Sequence, residues 1–287
     1  MTYQQPRFID AYAGAGAGLV GTLIGYPLDV IKGRMQVQAG SFSMGSIISS
    51  IHSAEGVKGF YRGVLPPMVS LTLLNTINFS NYALALSALS VERSANKGFD
   101  PLIFVAGACV GPGASFISTP FEFLKIQLQF SQRNKTPYKN TVHAARKIVE
   151  SHGFRYLYTG HLINTYREML FLGTYFATYE YVKKILHQTV NVSVAVPVSG
   201  GIAGAVGWLV SFPLDAIKTN IQGIHLIDNS TGTIQALSIR QAALRQLREK
   251  GFLNMYKGVG PSILRAFIVS SSRFSVYEGV LWMFSSK

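Results

Sequence analysis

The sequence predicts an all-α membrane protein, a six-helix pseudo-threefold bundle around a central cavity, built from three tandem repeats. Three observations predict it. Mean hydropathy is positive while only 14% of the 287 residues are charged, a balance unusual for a soluble globular chain. The apolar segments have membrane-spanning length, yet each is interrupted by Gly, Pro or a charge, which marks spans that line a cavity rather than face lipid all round. One motif, Pro-x-acid-x-x-Lys, recurs three times at intervals of 93 residues.

The motif reads Pro27-Leu-Asp29-Val-Ile-Lys32, Pro120-Phe-Glu122-Phe-Leu-Lys125 and Pro213-Leu-Asp215-Ala-Ile-Lys218, each followed by a glutamine at Gln36, Gln129 and Gln222. The repeats are assigned to 1–98, 99–192 and 193–287. Upstream, Gly14 and Gly18, Gly107 and Gly111, and Gly200 and Gly204 hold one register. Each pair gives the first helix of its repeat a small face for close packing.

After each first span comes a basic loop and a short amphipathic helix, expected at Ser46 to Ala54, Thr141 to Ser151 and Ile239 to Lys250. A glycine pair then opens the second span: Gly56 with Gly63, Gly153 with Gly160, Gly251 with Gly258, each with a Tyr two residues before the second Gly. Three repeats of two spans give six. An even number puts both termini on one side, opposite the basic loops.

The net charge is +13, and its concentration in loops between apolar segments fits positive-inside loops better than nucleic-acid binding, which is not expected. The single cysteine, Cys109, excludes an intramolecular disulfide framework. The six histidines show no ligand spacing, so neither a metal nor a cofactor is expected. Apolar sequence begins soon after Arg7, so targeting information is expected to be internal. An enzyme is not expected: there is no nucleophile-base-acid order. Gly14-Ala-Gly16-Ala-Gly18 follows no strand and so is no dinucleotide loop.

Three Pro-x-acid-x-x-Lys motifs at fixed spacing, each with its Gln and a downstream Gly-x-x-x-x-Tyr-x-Gly, resemble the mitochondrial carrier family over essentially the whole chain. The resemblance implies a multi-pass protein of the mitochondrial inner membrane with matrix-facing basic loops and both termini toward the intermembrane space. It implies alternating access by a monomer, with a small-molecule substrate and membrane lipids, cardiolipin among them, as partners.

The acid and Lys of each motif, three residues apart, share one helix face beside a proline that bends the chain. Alone they would form an intrahelical pair worth about 0.2–0.5 kcal/mol. In a threefold bundle each Lys can instead meet the acid of a neighbouring repeat, closing a ring of Asp29, Lys32, Glu122, Lys125, Asp215 and Lys218 on the matrix side. By the resemblance, Gln36, Gln129 and Gln222 brace it.

The family's opposite gate, aromatic-acid-x-x-base, falls at Tyr82, at Tyr179 with Glu180 and Lys183, and at Tyr277 with Glu278. Ala83, Leu86 and Leu281 replace its other charges, leaving at most one bridge, between Lys183 and Glu278. A resting state closed toward the matrix is expected. Midway along the second spans, Ser70, Arg167 and Arg265 occupy the family's substrate contact points, and Glu168 follows Arg167. Asn78, Tyr175 and Arg273 lie two turns further on.

An unpaired Arg in a span suits an anionic ligand, since a guanidinium grips a carboxylate with two parallel hydrogen bonds. An Arg167 that is merely structural and paired with Glu168 is the alternative. The Arg-acid pair resembles the carnitine/acylcarnitine and amino-acid branch, which implies antiport or uniport of a zwitterion bearing a carboxylate. A carrier-fold subunit of a respiratory complex, with transport reduced or lost, is the other reading; a dissipating channel is a third.

Overall fold

A computed structural model of the chain describes residues 7–37, 43–68, 74, 81–82, 84–85, 87–88, 100–130, 138, 140–224, 239–269 and 272. Among them every regular element is helical: α1 (Arg7–Val37), α2 (Met44–Gly59), α3 (Pro101–Phe130), α4 (Thr141–His152), α5 (His161–Leu186), α6 (Val192–Ile224) and α7 (Ile239–Lys250). Short 3-10 segments, Phe154–Tyr158 and Phe252–Tyr256, follow α4 and α7, and residues 259–269 are helical again.

The long helices α1, α3, α5 and α6 have 31, 30, 26 and 33 residues. At 1.5 Å per residue they run about 40–50 Å, enough for a bilayer with its interfaces. Within them Pro101–Gln129 and Val194–Gly223 are also apolar enough to cross a membrane. Pro27, Pro120 and Pro213 lie inside α1, α3 and α6. Each removes a donor from its helix just before the acid of its motif.

The short helices sit against the ends of these spans through small apolar clusters. Ile47 and Ile51 of α2 pack on Tyr26, Val30 and Ile31; Ala144 and Ile148 of α4 pack on Phe123, Leu124 and Leu128; Ala242 of α7 packs on Ala216, Ile217 and Ile221. Burying an aliphatic chain of this size is worth about 1.5–3 kcal/mol, which holds an otherwise polar helix down. Ser43 caps α2 and Asn140 caps α4 by accepting from the backbone N–H three residues on. α2 is longer than the sequence suggests because one further turn follows a break at Gly56, where φ is 64°.

Small residues set the helix spacing. A Cβ on Gly107 would stand 2.7 Å from the Leu172 carbonyl oxygen, and one on Gly111 2.6 Å from the Met169 nitrogen. Gly173 returns the approach from α5, its Cβ position 2.9 Å from the Phe104 carbonyl oxygen.

The second glycine of each downstream pair brings its repeat against a neighbouring one. A Cβ on Gly63 would lie 3.3 Å from the Lys125 carbonyl oxygen, on Gly160 3.2 Å from Gln222, and on Gly258 3.2 Å from the Lys32 carbonyl oxygen. All three have positive φ, a backbone open to Gly at no steric cost. Repeat one thus abuts repeat two, two abuts three, and three abuts one. Gly25 tightens the last seam: its Cβ position is 2.5 Å from Val269 and 3.2 Å from Arg265.

Candidate functional site

Just past the three prolines, α1, α3 and α6 bring their charges together. Lys32 Nζ lies 2.5 Å from Asp215, Lys125 Nζ lies 2.7 Å from Asp29, and Lys218 bonds Glu122. Every Lys takes the acid of the preceding repeat, so three bridges link the helices in a circle. None of the six forms its pair within its own motif. A buried ion pair loses hydration of both partners, but deleting one partner strands the other at a cost of about 3–5 kcal/mol.

Two arginines reach this ring. Arg265 Nε lies 2.7 Å from Asp29 Oδ1, opposite the oxygen that Lys125 holds. Arg167 Nε lies 3.6 Å from Asp215 Oδ1, opposite the oxygen held by Lys32, while its terminal nitrogen bonds Glu168. Neither Nε is aligned for a hydrogen bond: among the described residues both N–H groups lack an acceptor. Arg167 and Glu168 are both buried. The side-by-side Arg167–Glu168 pair exists, and Arg167 reaches beyond it to Asp215 of the ring.

An aromatic floor lies beneath the cations. Lys32 Nζ sits 3.8 Å from the centre of the Trp208 ring, and the Arg167 guanidinium 4.9 Å from it. From Trp208 the aromatic surface continues through Phe171, Tyr175 and Tyr179, neighbours along α5 with centroid separations of 5.2, 6.1 and 6.1 Å. Lys183 caps it, 5.4 Å from the Tyr179 ring. Trp208 escaped the motif search, though a signal was there. It stands five residues before Pro213, where the other repeats have Thr22 and Ser115, hydroxyls that bond carbonyls of their own helices.

The glutamines behave less uniformly than their register. Gln36 donates to Asp215 at 2.9 Å and braces a bridge. Gln129 instead donates to the Tyr26 hydroxyl at 3.4 Å, and Tyr26 lies under Lys125 with 5.2 Å between ammonium and ring. Gln222 donates to the Thr159 carbonyl at 3.0 Å, fastening α6 to the turn before α5. Equal spacing places the three amides at one level, but which acceptor each meets depends on the neighbouring repeat.

Toward the other end, Tyr82 is buried and stacked on Phe176 with centroids 3.7 Å apart. Tyr179, Glu180 and Lys183 are carried by the last turns of α5. Ser70, Asn78, Arg273, Tyr277 and Glu278 lie outside the described residues, as do Ala83, Leu86 and Leu281. Among the described residues no cluster of potential metal ligands occurs.

The arrangement can do two things chemically. It offers arginine N–H groups in a buried setting where a carboxylate is a strong partner. It also ties those arginines to the carboxylates that close the ring, so a ligand on the arginines competes with the closure.

The sequence matches the family described as "Mitochondrial carrier protein" over residues 4–92, 101–190 and 192–287. It is similar to the mitochondrial arginine transporter BAC2 of Arabidopsis thaliana, 31% identical over 279 residues, covering 94% of this chain and 89% of that protein. The mitochondrial basic amino acids transporter of Homo sapiens is 29% identical over 281 residues, covering 95% and 89%. The mitochondrial carnitine/acylcarnitine carrier protein of Mus musculus is 29% identical over 285 residues, covering 94% and 92%.

Proposed function

The chain belongs to the mitochondrial carrier family, a family of transmembrane transporters rather than enzymes, and from that premise we propose that it exchanges an amino acid or a related carboxylate-bearing zwitterion across the mitochondrial inner membrane. Its cargo binds by presenting a carboxylate to Arg265 and Arg167, with Glu168 receiving an α-ammonium beside it. An amino acid's adjacent opposite charges complement the adjacent Arg167 and Glu168. Relatives named for arginine, for basic amino acids and for carnitine move molecules that all carry a carboxylate and a cation.

The observation that carries this reading is that each arginine shares a gate acid with a gate lysine: Arg265 shares Asp29 with Lys125, and Arg167 shares Asp215 with Lys32. A substrate carboxylate that draws the arginines away removes one attraction from each acid and weakens the ring. Binding energy is thereby turned into opening, which a ligand achieves only through contacts that differ between the two states. In this assignment Asp29, Lys32, Glu122, Lys125, Asp215 and Lys218, with Gln36, form the matrix-side gate. Tyr82, Tyr179, Glu180 and Lys183 belong to the opposite gate, each repeat keeps the limits given above, and the termini face the intermembrane space.

The test is uptake by liposomes containing the purified protein and preloaded with amino acids, carnitine or acylcarnitine, with Arg167→Ala and Arg265→Ala as controls. Exchange of at least one such compound, lost in both variants, is expected. Absence of uptake across the panel, with copurification in fixed ratio with a respiratory complex, would replace transport by a structural role.

A further inference from the structure

Asn164 is fully buried one turn before Arg167 on α5, and its hydrogen bonds fix which way the amide points. The Thr119 hydroxyl donates to the Ser115 carbonyl at 2.6 Å, so toward Asn164 its oxygen can only accept. Nδ2 therefore lies toward Thr119, at 2.9 Å, and toward Ser118, at 3.1 Å. Oδ1 is the other end, and among the described residues it has no partner. Buried acceptors without partners are uncommon, and the cost of this one is offset if another state of the protein uses it.

The surroundings of that oxygen belong to the ring. α5 and α6 run antiparallel: Gly160 stands against Gln222, Ile163 packs with Ala216, Ile217 and Ile221, and Arg167 reaches Asp215. Asn164 thus falls at the height of Lys218. On α3 its partners Ser118 and Thr119 lie about one turn before Glu122, the acid that Lys218 bonds.

This bridge differs from the other two. Lys32 leans on Trp208 and Phe212, and Lys125 on Tyr26, rings carried by the same helix as the acid each lysine holds, so leaving the acid means leaving the ring. Tyr26 and Phe212 stand immediately before their motif prolines, and the residue in that place before Pro120 is Thr119, which bonds Asn164 instead. Glu122 has a second attraction in reserve, because the Arg167 charge acts on it as well as on Asp215.

We propose that Asn164 is a positioning residue of the matrix-side gate: its Oδ1 receives the Lys218 ammonium when the bridge to Glu122 breaks, which makes the seam between α3 and α6 the first to part. This rests on reading the ring as that gate. Lys218 passes from one acceptor to another without being stranded, and Glu122 keeps the attraction of Arg167. A lysine suits the transfer, being a point charge with three donors on a flexible stem. Gln222 Oε1 is another orphan amide oxygen, but it rides one turn beyond Lys218 on the same helix and so cannot tie α6 to α5.

Thermal unfolding of the full-length protein in detergent tests this without any cargo, so it stands or falls separately from the uptake assay. Glu122→Ala forces Lys218 onto another acceptor. Combined with Asn164→Leu, which keeps the volume and removes the oxygen, it should lower the midpoint by about 2 °C or more beyond the sum of the two single changes, the scale of coupling between residues in contact. Adding Lys218→Gln should abolish the excess, since no ammonium is left to place. Thr119→Val breaks part of the clasp but leaves Oδ1 and the bond to Ser118, and with Glu122→Ala it should be additive.

Asn164→Asp keeps the size and strengthens the acceptor, so it should draw Lys218 off Glu122. Spin labels at Lys147 on α4 and Arg248 on α7, in a Cys109→Ser background, should then show a longer separation, while labels at Ser50 on α2 and Lys147 keep theirs. Additivity of Asn164→Leu with Glu122→Ala, an excess that persists in Lys218→Gln, or an unchanged α4–α7 separation in Asn164→Asp overturns the proposal. An equal excess with Thr119→Val overturns it too and leaves Asn164 as a clasp between α3 and α5 alone.

Discussion

Arg265 and Asp29 meet across the seam between the last repeat and the first, 2.7 Å from Nε to Oδ1. The contact joins a residue from the middle of the final described helix to the first Pro-x-acid-x-x-Lys motif of the chain. Asp29 keeps Lys125 when Arg265 is removed, so the closed ring does not depend on the arginine. Arg265→Ala should therefore lower substrate uptake by about 100-fold or more, the scale of losing a bidentate carboxylate contact, while thermal unfolding in detergent moves little. Equal losses in uptake and thermal stability would refute the separation.

Asp215 is the most heavily engaged acid of the ring, with Lys32, Arg167 and Gln36 around it. Asp215→Ala strands the buried Lys32, while Arg167 keeps Glu168, and should cost about 3–5 kcal/mol. Glu122→Gln strands only Lys218 and keeps an acceptor for it, so its cost should be clearly smaller. Thermal or denaturant unfolding of the two variants gives the order directly.

Trp208 lies under both Lys32 and Arg167, and two such contacts are worth about 0.5–2 kcal/mol each. Trp208→Leu keeps the bulk and removes the ring's negative face. Uptake should fall about 5–30-fold, with Trp208→Phe recovering part of it. Identical behaviour of Leu and Phe would show that only volume matters there.

Gly111 faces the backbone of Met169 so closely that even a methyl group forces the helices apart, whereas among the described residues a Cβ on Gly16 meets nothing within 4 Å. Gly111→Ala should destabilise by about 1–3 kcal/mol, and Gly16→Ala should be neutral or stabilising by up to about 1 kcal/mol. The pair is read by unfolding in the same detergent.

The spacing of Asp29, Glu122 and Asp215 from their lysines made the ring foreseeable, because a charge that recurs in register at a helix bend needs a partner from another repeat. The all-α architecture was legible for the same reason: three repeats cannot each bury a face alone. Trp208 was hidden because it breaks the repeat, and a search for what recurs passes over what does not. The anchoring of Arg265 and Arg167 on gate acids could not be read either, since it depends on how far neighbouring helices are rotated. Gln129 and Gln222 show the limit of register, which fixes height along a helix but not the acceptor waiting there.

The glycine seams at Gly63, Gly160 and Gly258 join head to tail: one surface of each repeat meets a different surface of the next. Such contacts propagate indefinitely unless the rotation between units closes, and here it closes after three steps at Lys32. The number of repeats is thus fixed by an angle and not by the length of the chain. A two-repeat fragment would leave both kinds of surface bare, and a fourth repeat would find neither one available.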